Sequence, residues 1–246
     1  MSYGFHSATT SGWFGRTQER TLNSFHEKLA GAGFKTRDLL IDGREYTSRE
    51  DLKAATGIEK DTSIFAYDLT DIQKKVTSLP WVKTATVERR LPDTIYIRLQ
   101  ERVPVALYQK DNKLVLVDGE GAVLTDQNLG QFKSMLVITG EKAPQNASEL
   151  IGMIDAEADL KSRIQIARWI GNRRWDIELK NGITVRLPEE DAGLAIKRLT
   201  EAQKNEKVMD RQVEAIDLRD PLRIVVQTAP GAVNKYEAGY HKEKNI

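Results

Sequence analysis

The chain of 246 residues contains no cysteine. This absence excludes disulfide bonds, thiol nucleophiles and cysteine-ligated metal sites, and it suits an oxidising compartment. Histidine is almost as scarce, because His6, His26 and His241 are the only ones and all lie in the two terminal segments. None of them is expected to assist a nucleophile or to bind a metal inside the folded body. The sequence therefore predicts no catalytic residue, no metal and no cofactor.

The chain also lacks an excess of either charge and any long apolar run. It carries 37 Lys and Arg against 36 Asp and Glu, a net charge of +1, so no general field attracts nucleic acid, and we expect no nucleic-acid partner. No run approaches the roughly 20 apolar residues of a membrane helix, and no signal-peptide pattern begins at Met1. The aromatic residues Tyr3, Phe5, Trp13 and Phe14 are typical of a membrane surface, although a loosely packed terminus accounts for them equally well.

Motifs of common enzymes are missing too. The sequence has no Gly-Lys-Ser/Thr phosphate loop, no Gly-x-Ser-x-Gly elbow and no His-Glu-x-x-His pair. The Asp118–Gly121 stretch has no helix after it, which favours a hairpin turn over a phosphate site. Glu189, Glu190 and Asp191 are expected in the first turn of a helix, where the helix dipole explains them. The sequence thus indicates a protein that is not an enzyme.

What is present predicts an α+β fold with two domains. Residues 37–103 have the pattern of a β-α-α-β-β unit. The expected elements are a strand ending at Gly43, a helix capped by Thr47 or Ser48 and ended by Gly57, a second helix between Asp68 and Pro80, and an antiparallel hairpin of Val82–Arg90 and Thr94–Arg102. Trp81, at the junction between helix and hairpin, is expected in the core.

Residues 104–229 show many short strand signals separated by turns, and they predict a mostly antiparallel β-domain. Two helical segments are expected in it: Glu149–Ile170, either continuous or broken near Asp159, and Asp191–Glu206, with Leu194 on its apolar face. Pro104 favours a semi-rigid joint between the two domains. The flanks are assigned as a segment 1–36 with a short helix at Gln18–Ala30, and as a flexible tail 230–246.

Two features are candidates for binding. Arg173 and Arg174 precede Trp175 at the start of a strand, so one of them should be exposed and able to bind a carboxylate, unless it is only a solvated charge. The predicted strand Leu222–Thr228 carries apolar residues in succession and lacks the charges that usually protect a sheet edge. Such a strand is either covered by the fold or available to a partner.

Several motifs together closely resemble the FtsQ/DivIB family of bacterial cell-division proteins. They are "GREYTSREDLKAATGI", "LPWVKTATVERRLPDTIYIRLQERVPVALY", "VDGEGAVL" and "RRWDIELKNGITVRLP", and the resemblance covers about residues 34–228. It implies that residues 37–103 form a POTRA domain and that residues 104–229 form the β-domain of the family.

The resemblance also implies a function. Family members are non-enzymatic scaffolds that bind the small division proteins FtsB and FtsL and link early to late divisome components. They are anchored in the inner membrane by one helix, which on this view precedes the present chain and leaves it on the periplasmic side. FtsB pairs with the last strand of the family's β-domain. The residues expected at partners are therefore Arg173, Arg174, Leu222, Arg223, Ile224, Val225, Val226 and Gln227.

One position departs from the family pattern. Relatives carry an aromatic residue after "DLR", where this chain has Asp220-Pro221, so a contact made by that aromatic residue cannot be transferred. Two other classes of protein stay open as alternatives. POTRA units also occur in accessories of outer-membrane insertion or secretion, which usually repeat the unit, and a cell-wall hydrolase would need a polar catalytic cluster in the folded body.

Overall fold

A computed structural model describes residues 33–228, together with Gly31. The chain divides into two units, one ending at Arg102 and the other beginning at Val103. The helix predicted for Gln18–Ala30 and the tail predicted for residues 230–246 lie outside the described residues.

In its described residues, the first unit has a three-stranded sheet and two α-helices. Its elements are β1 (Asp38–Asp42), α1 (Arg49–Thr56), α2 (Leu69–Thr77), β2 (Val82–Arg90) and β3 (Thr94–Glu101). The central strand β3 runs parallel to β1 and antiparallel to β2. The predicted β-α-α-β-β order is confirmed.

Local chemistry explains where the two helices begin and end. The Ser48 hydroxyl accepts the N–H of Asp51 at 2.9 Å and caps α1, and Gly57 ends that helix with a left-handed φ of 59°. Asp68 caps α2 in the same way as Ser48 caps α1. The apolar faces of both helices pack on the sheet, and the most buried residues of this core are Leu52, Ile64, Val76, Ile95 and Ile97.

The prediction that Trp81 is a core residue is wrong. Trp81 is only half-buried, and its indole stacks on the ring of Tyr46 with centroids 4.5 Å apart and an interplanar angle of 14°. Tyr46 lies in the loop between β1 and α1, a segment that the sequence pattern did not connect with Trp81. The indole therefore covers a loop at the surface of the unit instead of filling its centre.

The same loop is held by Glu101 at the end of β3. Its carboxylate accepts the N–H groups of Glu45, Tyr46 and Thr47 at 2.8 to 2.9 Å and also the hydroxyl of Thr47. Burial opposes ionisation of Glu101, but these hydrogen bonds outweigh it, and they lower the pKa of the carboxyl. The charged form of Glu101 thus ties β3 to the loop.

The second unit, as far as residue 228, contains a nine-stranded sheet and three α-helices. Its elements are β4 (Pro104–Lys110), β5 (Lys113–Asp118), β6 (Val123–Thr125), β7 (Val137–Thr139), α3 (Ala143–Asp155), α4 (Ala158–Arg163), β8 (Ile164–Ile170), β9 (Arg174–Leu179), β10 (Thr184–Arg186), α5 (Ala192–Glu206), β11 (Val213–Asp217) and β12 (Val225–Thr228). The strand order is β12-β11-β10-β9-β8-β7-β4-β5-β6. The pairs β4/β7, β7/β8 and β10/β11 are parallel and the others antiparallel.

The predicted helix Glu149–Ile170 is wrong in its last third. The chain leaves α4 at Arg163 and continues as β8, between β7 and β9. Ile164 and Ile166 are buried on either side of the exposed Gln165, which is a strand alternation, and β-branched side chains favour strands. The spacing of Leu160, Ile164 and Ala167 also fits one face of a helix, so the local pattern was ambiguous.

The predicted helix Asp191–Glu206 is confirmed as α5, but its orientation differs from expectation. Leu194 is 60% exposed, whereas Ala195, Ile196 and Leu199 are buried. Asp191 precedes the helix with a positive φ of 55°, and no acidic residue lies in the first turn of α5. The helix dipole therefore does not explain the acidic run that precedes α5.

A candidate partner-binding edge

The strand β12 ends the sheet in the described part of the second unit. It pairs on one side only, antiparallel to β11. It is shorter than the predicted strand Leu222–Thr228, because the carboxylate of Asp220 accepts the N–H of Leu222 at 2.8 Å and turns the chain before β12 begins. Leu222 is 88% exposed, and Ile224 packs partly against the core.

All four residues of β12 are exposed, including two adjacent valines. Val225 is 53% exposed and Val226 38% exposed. The strand contains no charged residue, and its outer hydrogen-bonding side faces no other strand of the described chain. Natural sheets usually protect such an edge with charge, proline or a covering segment. An uncharged edge with two exposed valines is therefore suited to a partner strand.

Val226 is the last member of an apolar row that crosses the sheet. Strand register places its successive neighbours side by side, one from each strand. These neighbours, each fully buried, are Ile216, Val185, Ile177, Ala167 and Ile138. Of these six residues, Val226 alone is exposed. A strand laid along β12 would continue the row by one residue and would cover Val226.

The connection between β11 and β12 is held by α5. The guanidinium of Arg198 donates hydrogen bonds to the carbonyl of Leu218 at 3.2 Å, to that of Asp220 at 3.1 and 3.2 Å, and to that of Pro221. Sequence reasoning missed this residue. The carbonyls that it contacts lie about 20 residues after Arg198 in the chain, and no local sequence pattern predicts such contacts.

The predicted arginines Arg173 and Arg174 lie apart from β12. Both line a groove of about 790 Å³ whose other wall includes Leu194 and Pro221. Arg174 starts β9, which is three strands from β12, a distance of about 14 Å at the usual strand spacing. The structure thus brings the arginines to a groove near the β11–β12 connection, and the remaining predicted residues to the edge and the turn before it.

Both arginines are paired within the chain. Arg174 Nε lies 3.2 Å from Asp176 Oδ1, and both side chains are mostly buried. Arg173 Nε lies 3.0 Å from Glu189 Oε1, with both side chains exposed. As predicted, one of the two is exposed. Arg173 is consequently the one that can exchange its partner for an acidic group of another protein.

A further ion pair borders the edge. Asp217, opposite Val225 in β11, accepts hydrogen bonds from the guanidinium of Arg219, and these lower the pKa of its carboxyl. Arg223 is largely exposed, with its Nε 3.6 Å from Asp220 Oδ2. The border of the edge therefore carries two arginines, of which Arg223 is the less constrained.

Among the described residues, three carboxyl groups have a displaced pKa, and none of the three is raised. The carboxyl groups with a displaced pKa in this part of the chain, Glu101, Asp210 and Asp217, are all lowered by hydrogen bonds, whereas a general acid needs a raised pKa. Across the same residues, no group of three acidic or histidine side chains is placed to hold a metal ion. None of the helices described has the length and apolar content to cross a membrane.

Comparison with known families matches both units. Residues 34–102 match the model of the POTRA domain, FtsQ-type, and residues 106–219 match that of the cell division protein FtsQ/DivIB, C-terminal. The second match ends before β12. It therefore covers α5 and the strands up to β11, but not the edge strand β12.

Individual relatives are similar over most of the chain. A cell division protein FtsQ of Rickettsia typhi is 32% identical over 206 residues, which is 84% of this chain and 77% of the relative. The proteins of the same name from Caulobacter vibrioides and Bradyrhizobium diazoefficiens are 31% and 30% identical, over 81% and 87% of this chain. The chain spans 66% and 62% of the lengths of these two relatives.

Proposed function

The chain belongs to the FtsQ family of cell division proteins, and from this membership we propose that it is a non-enzymatic scaffold of the divisome. In this role it binds the division proteins FtsB and FtsL and connects early to late components during septation. It acts at the outer face of the bacterial inner membrane, anchored by a helix upstream of the present chain. The match of the second unit to the FtsQ/DivIB C-terminal domain favours this role over an accessory of outer-membrane insertion or secretion.

The observation that carries the proposal is the apolar row that ends at Val226, on a strand whose outer edge is open in the described chain. A strand of FtsB that adds to β12 gains main-chain hydrogen bonds along the open edge. It also places a side chain beside Val226, in continuation of a row whose next member, Ile216, is fully buried. The main-chain hydrogen bonds along β12 supply affinity, and the partner side chains in register with Val226 supply specificity.

The arginines supply a second, weaker contribution. Arg173 at the groove and Arg223 before β12 are exposed and positively charged. An acidic residue of the partner can pair with either of them at the rim of the interface. Rim pairs of this kind contribute less than about 1 kcal/mol and mainly affect the rate of association.

Proline substitution tests strand addition directly. Consecutive residues of an edge strand direct their N–H groups alternately toward the neighbouring strand and outward. Of Val225→Pro and Val226→Pro, one therefore removes a bond to β11 and the other a bond to the partner. We expect the outward-facing proline to abolish binding of the extracytoplasmic segment of FtsB while circular dichroism and the melting temperature stay native.

The two variants serve as controls for each other, because they differ only in which side of β12 loses its donor. Binding is measured by calorimetry with purified protein. If both folded variants bind the FtsB segment with native affinity, strand addition at β12 is excluded. The interface then lies elsewhere, and the exposed face of α5 becomes the next surface to test.

A further inference from the structure

The side chain of Arg198 donates its hydrogen bonds outside its own helix, to main-chain carbonyls, so these bonds do not serve to stabilise α5. All of its hydrogen bonds within the described chain go to carbonyls of the β11–β12 connection. No carboxylate of the described residues lies within 4.0 Å of its guanidinium, although a planar, charged fork is well suited to pair with one. Its charge and geometry are therefore used to hold one short stretch of backbone.

That stretch needs an external support. The connection covers residues 218–224, which is longer than the two-residue turns that fix the register of a hairpin. The strand that follows is only four residues long, and its pairing with β11 is irregular between Val213 and Ala215. Neither the turn nor the length of the ladder defines the register of β12.

Register decides which side chain ends the apolar row. In the observed pairing Val226 lies opposite Ile216. A slip by one residue would put Val225 or Gln227 there and would direct Val226 to the other face of the sheet. A partner strand that recognises Val226 would then meet a different pattern of side chains along the same edge.

We propose that Arg198 is a positioning residue that sets the register of β12 by holding the carbonyls of Leu218, Asp220 and Pro221. It acts on β12 through the connection, whose carbonyls accept all of its side-chain hydrogen bonds within the described residues. The inference rests on the proposed function for its effect on binding, but the effect on β12 itself is independent of any partner.

The experiment compares Arg198→Ala, Arg198→Lys and Lys204→Ala in the whole chain. Lys204 is an exposed cation of the same helix whose side chain makes no hydrogen bond or ion pair within residues 33–228, so its replacement controls for loss of charge. Hydrogen exchange of the segment 219–228 is followed by mass spectrometry, and affinity for the extracytoplasmic FtsB segment by calorimetry. Melting temperatures report on the rest of the fold.

For Arg198→Ala we expect exchange in 219–228 to be about tenfold faster and affinity to fall about tenfold, because several charge-assisted hydrogen bonds are lost at once. Lysine keeps the charge but not the planar fork, so Arg198→Lys should recover only part of both effects. Lys204→Ala should change neither. If Arg198→Ala does not fold, Arg198→Lys alone still carries the test through the same two measurements.

The outcomes separate the inference from the proposed function. Unchanged exchange in 219–228 for both Arg198 variants overturns the positioning role, whatever happens to binding. If exchange is faster in the Arg198 variants but affinity is native, and the outward-facing proline variant has lost binding, Arg198 positions β12 without affecting recognition of the partner, and that part of the inference is overturned. Native affinity in the folded proline variants instead rejects strand addition at β12, and faster exchange then supports Arg198 as the register-setting residue of an edge with no role for FtsB.

Discussion

Val226 lies directly opposite Ile216 in the pairing of β12 with β11, yet the valine is exposed and the isoleucine is fully buried. Val226→Glu should therefore weaken binding of the FtsB segment at least about tenfold, because the carboxylate would have to lose its water next to an apolar row. It should change the free energy of unfolding by less than about 1 kcal/mol, since the site is open in the free protein.

Val123→Glu is the matched control for this prediction. Val123 begins β6, the strand at the opposite end of the sheet, and is 53% exposed. Calorimetry with the FtsB segment should show native affinity for this variant. Equal losses for the two glutamates would indicate a general effect of charge at sheet edges and would remove the special role of Val226.

Charge reversal should lower the free energy of unfolding by different amounts at Arg173 and Arg174. Arg174→Glu places a second carboxylate beside Asp176 in a mostly buried pair, so we expect a loss of about 2 kcal/mol in unfolding free energy. Arg173→Glu affects an exposed pair and should cost less than about 0.5 kcal/mol. Urea denaturation measures both. Arg173→Glu should also reduce affinity for FtsB modestly, and less so at high salt. A stability loss as large for Arg173→Glu as for Arg174→Glu would contradict this assignment.

The first unit should lose stability in acid because of Glu101. The pKa of this carboxyl is lowered in the folded state from its ordinary value of 4.5, so the stabilisation is present above pH 4.5 and is lost as the pH falls through the lower, folded value. Glu101→Gln removes the titration. Melting temperatures of the wild type and the variant should differ at pH 7 and converge as the pH is lowered below 4.5. A difference that stays constant with pH would show that the charge of Glu101 does not matter.

The stacked rings of Tyr46 and Trp81 should be energetically coupled. Because Trp81 is half-buried, Trp81→Ala should cost about 2 kcal/mol, below the 3 to 5 kcal/mol typical of a core tryptophan. In a double-mutant cycle with Tyr46→Ala, measured by urea denaturation, the coupling should be about 1 kcal/mol. Strict additivity of the two losses would mean that the stacking contributes nothing.

Local signals in the sequence were sufficient for much of the first unit. Ser48, Asp68 and Gly57 act within four residues of their own positions, and alternation on both sides of a short turn predicts the hairpin of β2 and β3. Each of these features depends on neighbours in the chain, which is why a single sequence predicts them.

The features that were missed depend on distant partners. The strand β8 looked helical because the spacing of Leu160, Ile164 and Ala167 fits a helix, and only pairing with β7 and β9 decides the matter. Arg198 contacts carbonyls 20 to 23 residues away, and Glu101 contacts a loop more than 50 residues away. Contacts between residues so far apart leave no pattern among neighbouring residues from which they could be predicted. The edge itself was predicted, but not that its row ends at Val226.

The uncharged edge at β12 also affects how the free protein should behave at high concentration. Two copies can pair antiparallel through β12, each offering the same valines and the same unpaired main-chain groups, because such an edge is self-complementary. In a cell the FtsB strand would compete with this contact. Excess of the present chain over its partner should therefore favour edge-to-edge dimers, and co-expression with FtsB should suppress them.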